Sequence, residues 1–574
     1  QDAAASLVIT FDGRIDNREE LVRLLQASGC PPSADTDVEI ALRAYQCWGG
    51  ACAERILGDF AFAIWDGARN TLFCARDIFG TRPLYYHHRP GTAFTFASTP
   101  DALFAGGVVA RQLNEARIAD YLVSELEGID KTSTFYQDVF RLPPAHTLTV
   151  SPRGMSITRY WKPEPGPELQ LASDREYEEA FLETFREAVR CRLRGGDMVS
   201  SMLSGGLDSS SIVGVARALR LEAGDPPFRT YSVMSREPAT CIETRAIHQM
   251  LKLDSLDPTT FSADQLPDLY PELAEQTWHL EEPFDFHMIV PRSLAILAKR
   301  QGVRVMLDGI DGDSVLSEGM FLPRLVRRGK LVTAWREATG LRQVYPGESP
   351  VGVELMNAMR AAFVPDWIRM GLRPLRRKQQ WKQVLADSRI HPEFADRIHL
   401  QDRLETLNET FRARRPLDRD SDNAGTIDHP FIVCGVERYE RVAAASSLES
   451  RHPFLDRRVV EFCMRLPDSQ KIRNGWPKSI LRRAMAGYLP QEVCSRRGKG
   501  HLSSYLTASW VKRLYPEISK TLHAARDVLA PYVQASALQE SIDYYQFHGE
   551  HDAPWRLYEL THLANWLKQQ KSKK

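Results

Sequence analysis

The sequence predicts two domains: an α+β sandwich of antiparallel sheets, followed by an α/β domain built on a parallel sheet with helical additions. Its 574 residues exceed what one hydrophobic core usually holds. Short apolar runs separated by turn residues fill the first 150 residues, whereas strand and helix patterns alternate after residue 176. Prolines between residues 161 and 167 predict a stiff linker. We therefore expect domains at 1–160 and 176–574, joined by a linker at 161–175.

In the first domain, apolar runs that end at turn residues predict strands, and two stretches show a helical period. Asp12-Gly13 and Asp66-Gly67 are such turns. The predicted strands are Leu7–Phe11, Phe60–Trp65, Thr71–Ala75 and Leu84–Tyr86, and the predicted helices are Arg18–Gln26 and Val38–Tyr45.

After the linker, a helix is predicted at 176–195, and short strands then alternate with helices. The predicted strands are Met198–Leu203, Arg229–Met234 and Val303–Leu307, and the helices between them are Ile212–Leu219, Glu243–Leu253 and Ser293–Arg300. This alternation implies a parallel sheet that is covered on both faces. Residues 320–425 are helical in pattern and rich in arginine, which predicts an inserted or lid-like subdomain, and 426–574 are also helical.

The composition excludes several classes of protein. Because 74 Lys and Arg balance 74 Asp and Glu, a general nucleic-acid binder is not expected. No stretch approaches the ~18 apolar residues of a membrane span. The nine cysteines are scattered and never form a CxxC pair, which argues against a disulfide framework or a zinc ribbon. Buried, reduced thiols in a cytoplasmic protein are the simplest expectation.

A glycine- and serine-rich loop separates the first predicted strand of the second domain from its helix. Its residues are Ser204, Gly205, Gly206, Leu207, Asp208, Ser209 and Ser210. Glycines let the backbone approach a ligand, and amides at a helix N-terminus favour phosphate. The hydroxyls add donors, and Asp208 can hold Mg²⁺ against the phosphates. A glycine turn with a serine cap is the plainer alternative, but the whole loop favours phosphate or pyrophosphate binding.

A second, acidic loop follows the third strand of this domain. It reads Leu307-Asp308-Gly309-Ile310-Asp311-Gly312-Asp313. Ligands of parallel sheets bind beyond the carboxyl ends of the strands, where both loops are expected. Its carboxylates can share Mg²⁺ or meet a cationic group, whereas an ordinary acidic turn is the alternative. Together the two loops favour a nucleotide site.

These motifs resemble the asparagine synthetase superfamily, whose members adenylate a carboxylate and let an amine attack it. The loop at 204–210 resembles its pyrophosphate loop. The motifs at 12–17, 58–63 and 76–86 resemble its N-terminal glutamine amidotransferase-like domain, and those at 449–456, 478–482 and 496–499 resemble its synthetase domain. The resemblance implies an amidotransferase-like sandwich, then an ATP-pyrophosphatase domain of the adenine nucleotide α-hydrolase-like type, with ATP and Mg²⁺ required.

The glutaminase features of that superfamily are altered here. Its glutamine-hydrolysing members use an N-terminal cysteine, whereas this sequence begins with Gln1, so a preceding segment is expected to be missing. Asp12-Gly13-Arg14 stands where they carry Asn-Gly-Glu, and a cation at Arg14 repels the ammonium group of glutamine. Asp37 matches their other ammonium contact. We expect an inactive first domain that serves as a scaffold.

The synthetase features are better kept. By resemblance, Asp208 and Asp313 are the magnesium–pyrophosphate carboxylates. Lys499 matches a lysine that neutralises charge on the adenylate and the leaving pyrophosphate. The remaining nucleotide contacts are expected at Val233, Gly309 and Lys478, and the alternative for Lys478 is a charge at a helix end.

The catalytic group on the amine side has changed. Ile310 stands where relatives carry a Glu or Tyr, and it can neither accept a proton nor bind an ammonium group. Glu437 matches the other half of the dyad of β-lactam-forming relatives, and it can act as a base if its pKa is raised toward neutrality. A surface pair with nearby arginines is the alternative for Glu437. Asp311 is a candidate to replace the lost group.

This combination looks like the lasso peptide cyclases, which activate an Asp or Glu side chain of a precursor peptide with ATP. The peptide's N-terminal amine then attacks, which forms an isopeptide ring and releases AMP and pyrophosphate. The resemblance implies a precursor peptide as substrate, with a leader peptidase and a leader-recognition protein as candidate partners. The alternative is a glutamine-hydrolysing asparagine synthetase. A β-lactam-forming synthetase and a non-catalytic scaffold fit less well.

Overall fold

The computed structural model describes residues 6–126, 128–235, 237–278, 281–283, 288–346, 349–364, 373–413, 417–498, 500, 502–548 and 553–572. In these residues the two predicted architectures are both present. No helix among them is long and apolar enough to cross a lipid bilayer. All nine cysteines are free thiols, five of them buried and four partly exposed.

The N-terminal half is an antiparallel sandwich, as predicted. Its strands are β1 (Leu7–Ile15), β2 (Gly58–Asp66), β3 (Thr71–Arg76), β4 (Tyr85–Arg89), β5 (Ala93–Ala97), β6 (Phe140–Arg141), β7 (His146–Ser151) and β8 (Gly154–Arg159). They form a five-stranded sheet, β1-β2-β3-β7-β8, and a three-stranded sheet, β5-β4-β6. Side chains of both sheets, such as Ala63 and Tyr86, share one buried cluster between them.

Helices cover the other face of the five-stranded sheet. Leu21 and Ile40, from two of these helices, pack against Phe62 and Phe73 of β2 and β3. Strand β2 is therefore covered on both faces, which explains its nearly unbroken apolar sequence. The helices of this half are Arg18–Ala27, Asp37–Trp48, Cys52–Arg55, Pro100–Ala105 and Glu115–Leu122, with 3₁₀ turns at Gly49–Ala51 and Ser124–Leu126.

The second half contains the parallel sheet that the sequence predicts. Its strands are β9 (Val199–Met202), β10 (Phe228–Met234), β11 (Leu256–Ser262), β12 (Val305–Leu307) and β13 (Glu449–Arg451). All pairs are parallel, in the order β11-β10-β9-β12-β13. The chain runs outward from β9 in one direction and then returns to β12 on its other side. This reversal places a topological switch point between β9 and β12, where such sheets bind ligands.

Helices cover this sheet on both sides and continue to the end of the described chain. Those between Asp174 and Arg300 are Asp174–Arg192, Leu207–Ala223, Ile242–Met250, Tyr270–Trp278 and Ile289–Arg300, with 3₁₀ turns at Gly196–Met198 and Ala263–Leu269. Those between Gly312 and Ile427 are Gly312–Val315, Phe321–Arg327, Leu331–Val344, Val351–Phe363, Arg373–Ser388, Pro392–Arg397, Leu400–Ala413 and Arg419–Ile427. The later ones are Pro430–Ala445, Arg457–Arg465, Asp468–Lys471, Ser479–Ala484, Gln491–Cys494, Leu502–His523, Arg526–Leu529, Ala535–His548 and Ala553–Ser572, with a 3₁₀ turn at Pro453–Leu455 and the hairpin strands β14 (Ile472–Arg473) and β15 (Trp476–Pro477).

The helical segment 320–425 does not form the single subdomain that its sequence suggests. Its first three helices share a small core, which includes Phe321, Ala338 and Ala358. Its later helices instead contribute Val384 and Phe394 to the largest core of the protein. The segment is therefore divided between a small helical unit and the main body.

Candidate nucleotide and ligase site

A cavity of about 420 Å³ lies at the switch point, beyond the carboxyl ends of β9 and β12. Both loops singled out in the sequence reach its wall. Among its lining residues are Ser204, Gly206, Leu207, Asp208, Ser209, Val233, Asp308, Gly309, Ile310, Asp313, Tyr345, Tyr439, Lys478, Arg482 and Arg496. Most of the nucleotide contacts expected from the sequence therefore lie around one space.

The loop after β9 is shaped by its glycines and serines. Gly205 has φ +71°, and a Cβ there would lie 2.5 Å from the Glu243 carbonyl oxygen, so only glycine fits. Gly206 begins the helix Leu207–Ala223 with no side-chain cap, which leaves the first amides available to an anion. Ser204 Oγ and Ser209 Oγ lie 2.9 Å apart and brace the turn.

The acidic loop packs directly on the start of that helix. A Cβ on Gly309 would lie 2.8 Å from the Ser209 nitrogen, and a Cβ on Gly312 would lie 2.6 Å from Asp208 Cγ. The glycines of the second loop are therefore needed for close approach to the first. This contact places the carboxylates of the two loops at one edge of the sheet.

Asp208, Asp313 and Lys478 form the charged centre of the cavity. Lys478 Nζ bridges the two carboxylates and lies 2.7 Å from Asp313 Oδ1. Burial lowers the pKa of Lys478, but the charges of Asp208 and Asp313 outweigh this effect and raise it. Burial also raises the pKa of Asp208, and Lys478 only partly offsets that rise. Lys478 has φ +54°, a strained backbone that functional sites commonly tolerate.

The donors in this cluster fit a magnesium ion held against a polyphosphate. Asp208 Oδ1 is buried and has no hydrogen-bond partner within the described part of the chain, while Asp313 is largely exposed at the cavity. Two carboxylates are the ligands that Mg²⁺ takes beside substrate phosphates. When bound, the ion would neutralise phosphate charge, and Asp208 and Asp313 would hold it.

Two arginines, Arg482 and Arg496, complete the cationic wall, although no role was expected for either of them from the sequence. Arg496 donates to the Gly205 carbonyl oxygen at 2.6 Å, so it supports the phosphate loop from outside. Arg482 donates to the Cys494 carbonyl oxygen at 2.6 Å and lies over the Trp476 ring. Arg482 and Arg496 belong to the motifs 478–482 and 496–499, which resemble the synthetase domain. Their positive charge within those motifs could therefore have identified them as candidate phosphate contacts.

The nucleotide and phosphate contacts predicted from the sequence fall into three groups by position. The residues that line the cavity are Ser204, Gly206, Leu207, Asp208, Ser209, Val233, Gly309, Asp313 and Lys478. Gly205 and Ser210 are buried in the same loop and do not line it. Lys499 lies outside the described residues. Tyr345, from the helical segment, also lines the cavity, and no sequence motif marks it.

The two amine-side candidates, Asp311 and Glu437, lie outside the wall of the cavity. Asp311 does not line the cavity; it accepts from Ser314 Oγ at 3.0 Å, and burial raises its pKa to about 6. Ile310 does line it and packs against Gly435, where a Cβ would lie 3.3 Å from Ile310 Cδ1. The position of the lost catalytic group is therefore apolar.

Glu437 does not meet the condition for acting as a base, which is a pKa raised toward neutrality. Glu437 accepts from Arg76 at 2.9 Å and from Arg141 at 2.6 Å, and both arginines come from the N-terminal half. Burial raises its pKa, but Arg141 and Arg76 outweigh that effect and lower it to about 2. Tyr439 of the same helix lines the cavity, whereas Glu437, two residues away, points to the opposite side. The surface-pair alternative is closest to this outcome, although the pair is buried.

The turn predicted at Asp12-Gly13 is wrong, because strand β1 continues through it to Ile15 and pairs with β2 along this stretch. Arg14 of β1 is also part of the domain interface. Arg14 is 1% exposed and pairs with Asp16 at 2.6 Å, Asp59 at 2.9 Å and Glu449 of β13 at 3.1 Å. Burial lowers its pKa, but these carboxylates outweigh the effect and raise it. Asp37 is likewise occupied, since it pairs with Arg18 and with Arg194 of the second half.

Comparison with known proteins agrees with this architecture. The glutamine amidotransferase domain family matches residues 1–161, and the asparagine synthase family matches residues 180–568. Asparagine synthetase [glutamine-hydrolyzing] 3 of Bacillus subtilis is 27% identical over 90% of this chain and 80% of its own. Asparagine synthetase [glutamine-hydrolyzing] 1 of the same organism is 24% identical with the same shares. Amidase chry2 of Gibberella zeae is 24% identical over 89% of this chain and 78% of its own. The family match covers more than half of the chain, which therefore belongs to the asparagine synthase family.

Proposed function

We propose that this protein is an ATP-dependent peptide macrolactam cyclase of the lasso type. It adenylates an Asp or Glu side chain of a precursor peptide, and the peptide's own N-terminal amine displaces AMP to form an isopeptide bond. A leader peptidase and a leader-recognition protein are the candidate partners, and the cytoplasm is the proposed compartment.

The burial of Arg14 carries this proposal. At the position where the resemblance places the glutamine contact of glutaminases, the Arg14 guanidinium of β1 is held between Asp16, Asp59 and Glu449 of the two halves. Arg14 thus replaces the carboxylate that would bind the glutamine ammonium group, and its side chain is fixed in the interface. Asp37, the other expected ammonium contact, is held by two arginines. These contacts favour an amine that does not come from glutamine.

On the ligase side, the residues present support adenylation. The amides at 207–209, the hydroxyls of Ser204 and Ser209, and Lys478 with Arg482 provide donors and cations for the phosphates of ATP. These donors stabilise the charge that develops on the departing pyrophosphate. The carboxylate substrate is then held as an acyl phosphate anhydride, whose carbonyl carbon an amine attacks.

A glutamine-hydrolysing asparagine synthetase is the second candidate, because two of the three relatives described above bear that name. It requires a nucleophilic cysteine ahead of Gln1 and glutamine binding despite Arg14. The amidase name of the third relative leaves room for other amines.

The experiment that separates these functions measures pyrophosphate release from ATP and magnesium. One arm contains a linear precursor peptide, and the other contains aspartate with glutamine. We expect release that depends on the peptide, with a product lighter by one water, and loss of both signals in Asp208→Ala. Release with aspartate and glutamine, and none with peptides, would contradict the cyclase and support an asparagine synthetase.

A further inference from the structure

With Ile310 apolar and Glu437 locked in ion pairs, the acidic loop places another carboxylate in the cavity, one to which the sequence assigned no individual role. Asp308 follows β12 directly, lines the cavity and is 3% exposed. Its Oδ1 accepts from the Ile310 N–H at 3.0 Å and lies 2.9 Å from His452 Nδ1. Its Oδ2 is buried and has no hydrogen-bond partner among the described residues. A buried oxygen without a donor is costly unless a ligand provides one.

The register of the sheet brings Asp308 and His452 together. Leu307 of β12 pairs with Arg451 of β13 in parallel, so the next residue of each strand leaves the sheet at the same edge. His452 is 1% exposed, and its Nε2 also lacks a partner among the described residues. The Tyr439 ring stands edge-on to the imidazole, with centroids 6.1 Å apart.

We propose that Asp308, held in place by His452, binds the ammonium form of the attacking amine and accepts its proton; this inference rests on the proposed amide-forming activity. Asp308 is the catalytic residue in this scheme, because its Oδ2 meets the amine. His452 is a positioning residue, which fixes Oδ1 and leaves Oδ2 without a donor among the described residues.

Amide formation begins with a proton transfer and ends with the release of AMP. One proton moves from the ammonium nitrogen to Asp308 Oδ2, which leaves a neutral amine with a free electron pair. That pair attacks the carbonyl carbon of the acyl adenylate, and the C–N bond forms. The bond from that carbon to the phosphate oxygen breaks, and AMP leaves with its electrons. The second nitrogen proton passes to the AMP phosphate or to water, and Asp308 later releases its proton to solvent.

The surroundings of His452 support a positioning role. The charged and titratable groups around it are Asp308 and Asp311 of the acidic loop, Tyr439 and Glu440 of the helix Pro430–Ala445, and Asp59 of β2. Burial lowers the pKa of His452, but Asp308 outweighs it, and the pKa is raised overall. An imidazole that keeps its proton holds the Asp308 carboxylate by a charge-assisted bond.

The test separates the two halves of the reaction in Asp308→Asn, with Asp254→Asn, an exposed aspartate, as the control variant. Peptide-dependent exchange of labelled pyrophosphate into ATP reports adenylation, and mass spectrometry of the ring product reports amide formation. We expect exchange within about threefold of the wild type and cyclisation at least ~100-fold slower. Hydroxylamine, which is neutral near pH 7 and needs no base, should trap the adenylate as a hydroxamate at the wild-type rate. Cyclisation within tenfold of the wild type, or an equal loss of exchange and cyclisation, would overturn the proposal.

Two substitutions test the positioning role. His452→Asn keeps a donor near the place of Nδ1, whereas His452→Leu removes it. We expect His452→Leu to slow cyclisation more than exchange and to change the pH profile of cyclisation, and His452→Asn to restore most of the rate. Equal losses in both variants would overturn this role. If the wild type shows no exchange with any peptide, the proposed function fails; the same variants are then compared with aspartate and ammonium chloride, where attack by ammonia needs the same proton acceptor.

Discussion

The domain interface and the nucleotide cavity both contain largely buried carboxylates, but their surroundings shift the pKa of these groups in opposite directions. At the interface, Glu437 and Glu449 are paired with arginines, which lower the pKa of each to about 2 despite burial. In the cavity, Asp208 keeps one oxygen without a partner among the residues that the structure describes, and burial raises its pKa. Asp311, beside the cavity, behaves in the same way, with a pKa of about 6.

This difference separates charge that stabilises the fold from charge that is kept for a ligand. A buried ion pair is tolerated when each oxygen has a donor, and removing one partner is strongly destabilising. A buried carboxylate without its full set of donors costs stability in the free protein, and the cost is recovered only when a ligand binds. The comparison therefore predicts that interface substitutions change stability, whereas cavity substitutions change activity.

Asp208→Asn should cause the greatest change, which is a loss of activity. Removal of this charge should slow pyrophosphate exchange by about 100- to 1000-fold, because the phosphates lose a ligand of their metal ion. The midpoint of urea unfolding should stay the same or rise, since a partly unsatisfied buried charge is removed. Exchange assays and urea titrations on the same preparation check both. A large loss of stability would break the distinction between the two regions.

The next effect is on stability, for Arg14→Met. This change leaves Asp16, Asp59 and Glu449 around an uncharged side chain, so we expect a loss of about 3–5 kcal/mol in the free energy of unfolding. Glutaminase activity should not appear. Arg175→Met, in an exposed pair with Glu179, is the matched control and should not change stability measurably. If Arg14→Met is as stable as the control, the interface network does not hold the halves together.

Glu437→Gln should destabilise the protein by about 3 kcal/mol at neutral pH, from a pKa lowered from 4.5 to about 2. A lowered pKa stabilises the fold above pH 4.5, and this contribution is lost as the pH falls toward 2. The difference in unfolding free energy between wild type and variant should therefore shrink over that range. Denaturant titrations at several pH values measure it, and a constant difference would contradict the assigned ion pairs.

Much of the fold was predictable from sequence because the signals are local. The alternation of apolar runs and turns identified the antiparallel sandwich, and the strand–helix rhythm identified the parallel sheet. In the sandwich, strands β5 to β8 were not predicted, and neither was the hairpin of β14 and β15. In the parallel sheet, β11 and β13 were not predicted. Strand β13 has only three residues, Glu449–Arg451, two of them charged, and forms by pairing with β12. Strand β11 contains Asp257 and Pro258, which disfavour strands, and is held by its pairing with β10.

The candidate site was predictable where one motif carries it and missed where two distant segments meet. The glycines and serines of the loop at 204–210 form one continuous motif, so a role in phosphate binding could be predicted from the sequence alone. Asp308 and His452 are 144 residues apart, and only the pairing of β12 with β13 brings them together. The choice between the two alternatives for Glu437 was out of reach for the same reason, since its arginines, Arg76 and Arg141, are about 300 residues away or more.

Glu440 should give the weakest effect, because its pKa is raised like those of the carboxylates at the cavity although the residue lies at the domain interface. Glu440 lies one helical turn after Glu437, accepts from Arg82 at 2.6 Å and from Ser450 Oγ at 2.9 Å, and is buried. Burial raises its pKa, and Arg82 does not fully offset that rise. Its ionised form is therefore a cost to the fold, unlike that of Glu437.

Glu440→Gln should therefore change the free energy of unfolding at neutral pH by less than about 1 kcal/mol, since Arg82 keeps Glu449 as a partner at 3.1 Å. A raised pKa contributes stability below pH 4.5, and that contribution is lost as the pH rises through the folded-state value. The stability of the wild type relative to Glu440→Gln should thus fall with rising pH, whereas relative to Glu437→Gln it should rise. Parallel denaturant titrations of the two variants measure both slopes. Slopes of the same sign would contradict the opposite pKa shifts of Glu437 and Glu440. Pairing with arginine alone would then decide how each glutamate contributes to the free energy of unfolding, whatever its burial.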